Sequence, residues 1–133
     1  MKVAELMQSN VRTISSDARV AEVVVSLADG HISGLPVVDK IGRIIGVVSA
    51  TDVLGAEAEA ESETIGRDLM EETSVRDIMT PRPLTVAPDE DVREAARQML
   101  YAEVHRLFVA EGDRLVGVIS STDIVRGFAS GKL

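Results

Sequence analysis

The chain has 133 residues, 45% hydrophobic and 27% charged, which fits a soluble globular protein long enough to bury a core. Aromatic residues make up only 2% and the formal net charge is −8. These values argue against base-stacking platforms and broad polyanion-binding surfaces, so nucleic acid is not an expected partner. Cysteine is absent, which excludes disulfides, thiolate metal sites and Cys nucleophiles.

Residues 1–5 lack the apolar run of a signal peptide, and no stretch reaches the roughly 20 apolar residues of a membrane span. A cytoplasmic protein without membrane contact is expected. Residues 3–7 form a short amphipathic start and residues 11–14 an extended piece. A helix then follows, with Asp17 as its expected N-cap, Val20, Val23, Val24 and Leu27 on its apolar face, and Gly30 as its stop. Strands are predicted over 35–38 and 44–49, joined by a hairpin turn at Gly42. A second helix opens at Thr51-Asp52. The stretch 54–73 is rich in Ala and Glu and is expected to prolong this helix, with Gly66 as a possible break, and then to link onward. Its acidity reads as a solvated helix face.

The same order then returns. An offset of 72 aligns Val3 with Val75, Met7 with Met79, Thr13 with Thr85, Asp17 with Asp89, Val20 with Val92 and Leu35 with Leu107. Beyond the turn near Gly42 the offset becomes 71, aligning Gly46 with Gly117, Ser49 with Ser120, Thr51 with Thr122 and Asp52 with Asp123. In the second copy Asp89 is the expected cap and Val92, Ala95, Ala96 and Met99 the apolar face. Residues 84–87, 107–110 and 115–120 are the extended segments. The fold class expected is α+β: two pseudo-symmetric β-α-β-β-α repeats packed sheet to sheet as one module. Repeat one spans 1–56, an acidic helical linker 57–73 and repeat two 74–133.

The informative motif is Gly46-Val47-Val48-Ser49-Ala50-Thr51-Asp52, repeated as Gly117-Val118-Ile119-Ser120-Ser121-Thr122-Asp123. A buried strand ends in hydroxyl residues and turns into a helix. Free N–H groups, the helix dipole and two hydroxyls at such a turn suit a phosphate. An ionised Asp, which only accepts hydrogen bonds, suits a ribose diol. Simple helix capping by Ser, Thr and Asp is the other reading. Repetition at identical spacing, with Gly permitting close backbone approach each time, favours a ligand role.

This motif, with His31-Ile32-Ser33-Gly34-Leu35-Pro36-Val37-Val38-Asp39 and Val75-Arg76-Asp77-Ile78-Met79, resembles a tandem pair of CBS domains over nearly the whole chain. Glu103-Val104-His105-Arg106-Leu107 is also similar to a segment of the regulatory subunit of AMP-activated protein kinase. The resemblance implies a regulatory module with two clefts binding AMP, ADP, ATP or S-adenosylmethionine, with no required cofactor. It assigns Ser49, Thr51, Asp52, Thr85, Ala87, Val104, His105 and Arg106 to one cleft. Ser120, Thr122, Asp123, Thr13, Ser15, Ile32 and Ser33 fall to the other. It further implies a homodimer through helix faces and an unidentified regulated protein.

The two clefts are expected to be unequal. His105 and Arg106 offer cations where the first copy has Ser33 and Gly34, so the Asp52 cleft is the better expected phosphate seat. Copy two departs from the pattern with Phe108 in place of Pro36. No enzyme is expected, since no paired carboxylates stand near a candidate nucleophile, and no metal site is expected. The rival function is a protein-interaction or dimerisation module with vestigial clefts.

Overall fold

The computed structural model describes residues 1–32 and 34–131. The first copy contains β1 (Ile14–Ser15), α1 (Val20–Gly30), β2 (Gly34–Val38), β3 (Ile44–Ser49) and α2 (Ala50–Ala58). A helix α3 (Glu63–Glu72) and β4 (Thr80–Pro81) follow. The second copy contains β5 (Thr85–Val86), α4 (Val92–Ala102), β6 (Arg106–Glu111), β7 (Arg114–Ser120) and α5 (Ser121–Ala129). Two 3-10 turns, Val3–Glu5 and Val75–Asp77, open the two copies. The fold is therefore mixed α+β, with the expected strand–helix–strand–strand–helix order in each copy.

One sheet has the order β1-β2-β3-β4 and the other β5-β6-β7. In the first, β1 runs parallel to β2 (Ile14 opposite Val37), and β2 and β3 form an antiparallel hairpin (Gly34 opposite Ser49). The second repeats this arrangement, with Thr85 opposite Phe108 and Arg106 opposite Ser120. The hairpin turns use Gly42 at φ 87° and Gly112 at φ 66°, where a side chain would be strained. Asp39 braces the first turn. Its carboxylate accepts from the Ile41 and Arg43 N–H groups at 3.1 and 2.9 Å and pairs with Arg43 Nε at 2.7 Å.

The chain divides into two compact units that do not follow the copies. One is Arg12–Pro83, and the other joins Met1–Val11 to the chain from Leu84 onward. Each copy's opening arm thus lies in the unit built mainly by the other copy. In the discontinuous unit, the Val3 and Ala4 N–H groups donate to the Glu90 and Pro88 carbonyls, both at 2.9 Å. Gln8 and Val118 exchange backbone hydrogen bonds at 2.8 and 2.9 Å. In the contiguous unit, Val75 N–H donates to Ala18 O at 2.8 Å, and β4 pairs with β3 through Gly46–Pro81 and Val47–Thr80. Val3 and Val75 are both fully buried, each within its unit's apolar cluster. Val3 packs with Val86, Leu107, Val109 and Ile119, and Val75 with Ile14, Leu35, Val37 and Val48.

Several helix boundaries differ from the sequence expectation. Helices α1 and α4 each begin three residues after Asp17 and Asp89, with Arg19 and Asp91 at the N-cap positions. Arg19 supplies no side-chain cap. Its own N–H instead donates to the Glu22 carboxylate at 2.7 Å. Asp17 is drawn away by a pairing with Arg76 of the arm packed in the same unit. Gly30 is the last residue of α1, and the left-handed stop falls on His31 (φ 50°), matched by Glu103 (φ 57°) after α4. The acidic stretch forms two helices. The break falls after Ala58, and Gly66 lies within α3, buried where an added Cβ would collide with the Glu57 carboxylate.

Asp91 is the one N-cap of α1 and α4 that caps by its side chain, accepting from Arg93 N–H at 2.8 Å. That hydrogen bond, opposed by desolvation and helped by the N-terminal ammonium and the charges of Arg93 and Arg97, holds its carboxyl below the ordinary value of 3.8. A lowered folded-state pKa stabilises above the unfolded value, and that contribution is lost as pH falls through the folded one. The expected result is a Tm higher for the wild type than for Asp91→Asn at neutral pH. The gap should close as pH drops below about 4. Thermal melts across that range check it.

Candidate functional site

The repeated turn is built the same way in both units. The apolar strand β3 delivers Ser49 to the start of α2, and β7 delivers Ser120 to the start of α5. Ser49 Oγ accepts from Asp52 N–H at 3.2 Å, while Asp52 Oδ2 accepts from Ser49 N–H at 2.8 Å and from its hydroxyl at 3.0 Å. Ser120 and Asp123 repeat the reciprocal backbone pair at 3.1 and 2.8 Å. Both aspartates are thus the third residue of a capping box, which satisfies N–H groups that helix geometry leaves unpaired. Capping and ligand binding need not compete, because each box uses only Oδ2 and leaves Oδ1 for another donor.

The outer oxygens differ. Asp52 Oδ1 meets the Thr80 hydroxyl at 3.5 Å, the limit of a hydrogen bond. Asp123 Oδ1 accepts from Gln8 Nε2 at 3.2 Å and has Arg126 Nη1 at 3.7 Å. Asp123 is only 6% exposed, while Asp52 is half-buried. The sequence reading did not single out Gln8, Thr80 or Arg126 as partners. Gln8 and Thr80 do occupy equivalent places, each one residue after the aligned Met7 and Met79.

The motif glycines serve another purpose than close ligand approach. A Cβ on Gly46 would lie 2.6 Å from Met79 Sδ and 2.9 Å from Thr80 O. On Gly117 it would lie 2.7 Å from Met7 Sδ and 2.8 Å from Gln8 O. Glycine is required there because an arm's backbone crosses the strand.

The remaining candidate residues are placed as follows. In the contiguous unit Thr13 and Ser15 are exposed around β1, and Ser15 Oγ accepts from Asp17 N–H at 3.1 Å. Ile32 packs against the core beside β2, whose first residue, Gly34, pairs with Ser49. Ser33 lies outside the described residues. In the other unit Thr85 and Ala87 are half-buried, and Val104, His105 and Arg106 are exposed. The His105 carbonyl accepts from Ser121 N–H at 2.9 Å, and Arg106 pairs with Ser120. Thr51 and Thr122 are exposed on the first turns of α2 and α5. Each unit therefore gathers its strand-entry residues at its own Ser-x-Thr-Asp turn. Among the described residues no group of three or more His, Asp or Glu could hold a metal ion.

The family model for the CBS domain matches residues 3–59 and again 75–130. The chain belongs to the CBS-domain family. Its two CBS repeats align with CBSX2 of Arabidopsis thaliana, solved in complex with AMP, at 28% identity and a TM-score of 0.81, covering 99% of this chain and 98% of that one. The CBS domain pair of MJ0100, solved with 5′-methylthioadenosine and S-adenosyl-L-methionine, aligns at 25% identity and a TM-score of 0.76, covering 98% of each chain. The uncharacterized protein MJ1225 of Methanocaldococcus jannaschii is 30% identical over 93% of this chain, which spans 41% of that protein. Inosine-5′-monophosphate dehydrogenase of the same organism is 30% identical over 94% of this chain and 23% of its own length. No helix among the described residues is long and apolar enough to cross a membrane.

Proposed function

We propose that this CBS pair is a non-enzymatic regulatory module that binds adenosine-containing ligands, AMP, ADP or ATP, with S-adenosylmethionine as a further candidate. The observation that carries this reading is the Asp52 turn. It has a half-buried carboxylate whose Oδ2 is fixed by the capping box and whose Oδ1 has only one distant partner. Such an oxygen can accept from a ribose hydroxyl without breaking the helix cap. The full-length likeness to CBSX2, solved with AMP, supports the same ligand class. His105 and Arg106, the cations that the family resemblance assigns to a phosphate, are exposed in the unit that carries Asp123.

Isothermal titration with AMP, ADP, ATP and S-adenosylmethionine tests this directly. Removing a charged hydrogen-bond acceptor of the ribose, as in Asp52→Ala, should weaken binding by about 10- to 100-fold. Unchanged affinity in that variant would remove Asp52 from the site. No heat with any of the four ligands would defeat the adenosine reading.

The rival function, an interaction module without ligand, draws support from the capping boxes, since both aspartates have a complete structural role without any nucleotide. We also propose a cytoplasmic homodimer. It would use apolar side chains left open on the helices, Leu54 at 67% exposure, Val125 at 63% and Phe128 at 61%. Ile124, next to Val125 on α5, is buried in the core and unavailable to such a face. Light scattering showing only monomer at micromolar concentration would overturn the dimer.

A further inference from the structure

We propose that Gln8 and Arg126 form a latch holding Asp123 out of ligand binding, so that the chain takes one adenosine ligand, at Asp52, rather than two. This rests on the adenosine reading above and adds the residues that decide which turn is used. The two aspartates sit in matching capping boxes at the same spacing after matching strands, so the box cannot distinguish them. Their remaining oxygens can. A carboxylate oxygen has about two lone-pair directions. On Asp123 Oδ1 the Gln8 amide takes one at 3.2 Å, and the Arg126 guanidinium, 3.7 Å away, faces the same atom. At 6% exposure there is little room for a third donor. A ribose would have to displace an amide already in place and leave its N–H groups to find water.

At Asp52 the equivalent positions hold Thr80, whose hydroxyl reaches Oδ1 only at 3.5 Å, and Gly55, which carries no side chain. Both donors are therefore missing or weakened together in one unit and present together in the other. Gln8 sits on the opening arm, so the latch is supplied by the segment that also completes that unit's sheet at Val118. Gln8 and Arg126 are positioning residues. They act through the Asp123 carboxylate.

The test exchanges the latch between units in the full chain and counts AMP by isothermal titration. Wild type should bind one equivalent, and Gln8→Thr/Arg126→Ala should bind two. Gln8→Thr alone leaves α5 untouched and carries the same expectation if the double variant does not fold. Thr80→Gln/Gly55→Arg should lose at least tenfold in affinity. Gly55 has open space for the new side chain, with nothing within 4 Å of an added Cβ. Two equivalents in the wild type, or one in folded latch variants, would overturn the latch.

A ligand-free arm separates this from failure of the adenosine reading. In chemical unfolding, the Gln8→Ala and Asp123→Asn changes should be non-additive by about tenfold in the unfolding constant, as for a hydrogen bond to a charged group. Thr80→Ala and Asp52→Asn should be additive. If no variant binds AMP, the ligand reading fails and the latch is judged by this cycle. An additive Gln8–Asp123 cycle overturns it.

Discussion

Deleting residues 1–8 is expected to unfold the unit built from the second copy while leaving residues 12–83 folded. The deletion removes Val3, which is fully buried among Val86, Leu107, Val109 and Ile119, and also Leu6 and Met7, packed against the same cluster. Burying an apolar side chain of this size is worth about 1.5–3 kcal/mol. The deletion also removes the backbone bonds from Val3, Ala4 and Gln8 to Glu90, Pro88 and Val118, each with a net value of about 1 kcal/mol. Together these losses match the roughly 5–15 kcal/mol that holds a domain folded. Hydrogen exchange by mass spectrometry would show protection lost in β6 and β7 and kept in β2 and β3. Equal protection in both sheets would contradict the arm exchange. As a corollary, a fragment of residues 12–83 should fold by itself, whereas residues 1–59 should not, because the latter lacks Val75 and β4.

The second large effect is expected at the motif glycines. Gly117→Ala brings a Cβ within 2.7 Å of Met7 Sδ and 2.8 Å of Gln8 O. The thioether can swing aside, but the Gln8 carbonyl is held by the 2.9 Å bond from Val118 N–H. The strand or the arm must therefore move, and overpacking of this kind costs about 1–3 kcal/mol. Gly46→Ala, facing Met79 and Thr80 O, should cost a similar amount. Chemical denaturation measures both. Adding Met7→Ala to Gly117→Ala should restore little, because the carbonyl remains. Full recovery would place the clash on the methionine alone.

The hairpin strands were legible in the local pattern, whereas the short β4, which pairs with β3 from the second copy's arm, was not. The apolar runs Ile44–Val48 and Leu115–Ile119, a glycine at positive φ in each turn and a serine at the end of β3 and of β7 mark the hairpin strands. The cap of α1 was misplaced for a physical reason. Asp17 has the chemistry of a cap, but Arg76, nearly sixty residues away, pairs with it, and the helix begins later. The arm exchange left no trace in the pattern for a different reason. The two opening arms carry the same apolar residues, Val3 matching Val75 and Met7 matching Met79, so their sequence does not say which unit each completes. The same blindness affected the site. Gly46 and Gly117 do permit a close backbone approach, but the backbone that approaches is that of the protein's own opening arms. Gln8 and Arg126 stand 115 and three residues from Asp123, and only the fold makes the first of them a neighbour.

The arms also set an order of assembly. The unit Arg12–Pro83 is one continuous stretch, and every contact that completes it is available once Pro83 has been made. The other unit must join the first residues of the chain to its last ones across the whole of the first unit. Closing so long a loop carries an entropy cost that short-range contacts avoid, and contacts of high sequence separation form slowly. The arm's backbone partners Pro88, Glu90 and Val118 all follow residues 12–83 in the chain, so the contiguous unit can be completed before the arm has its partners.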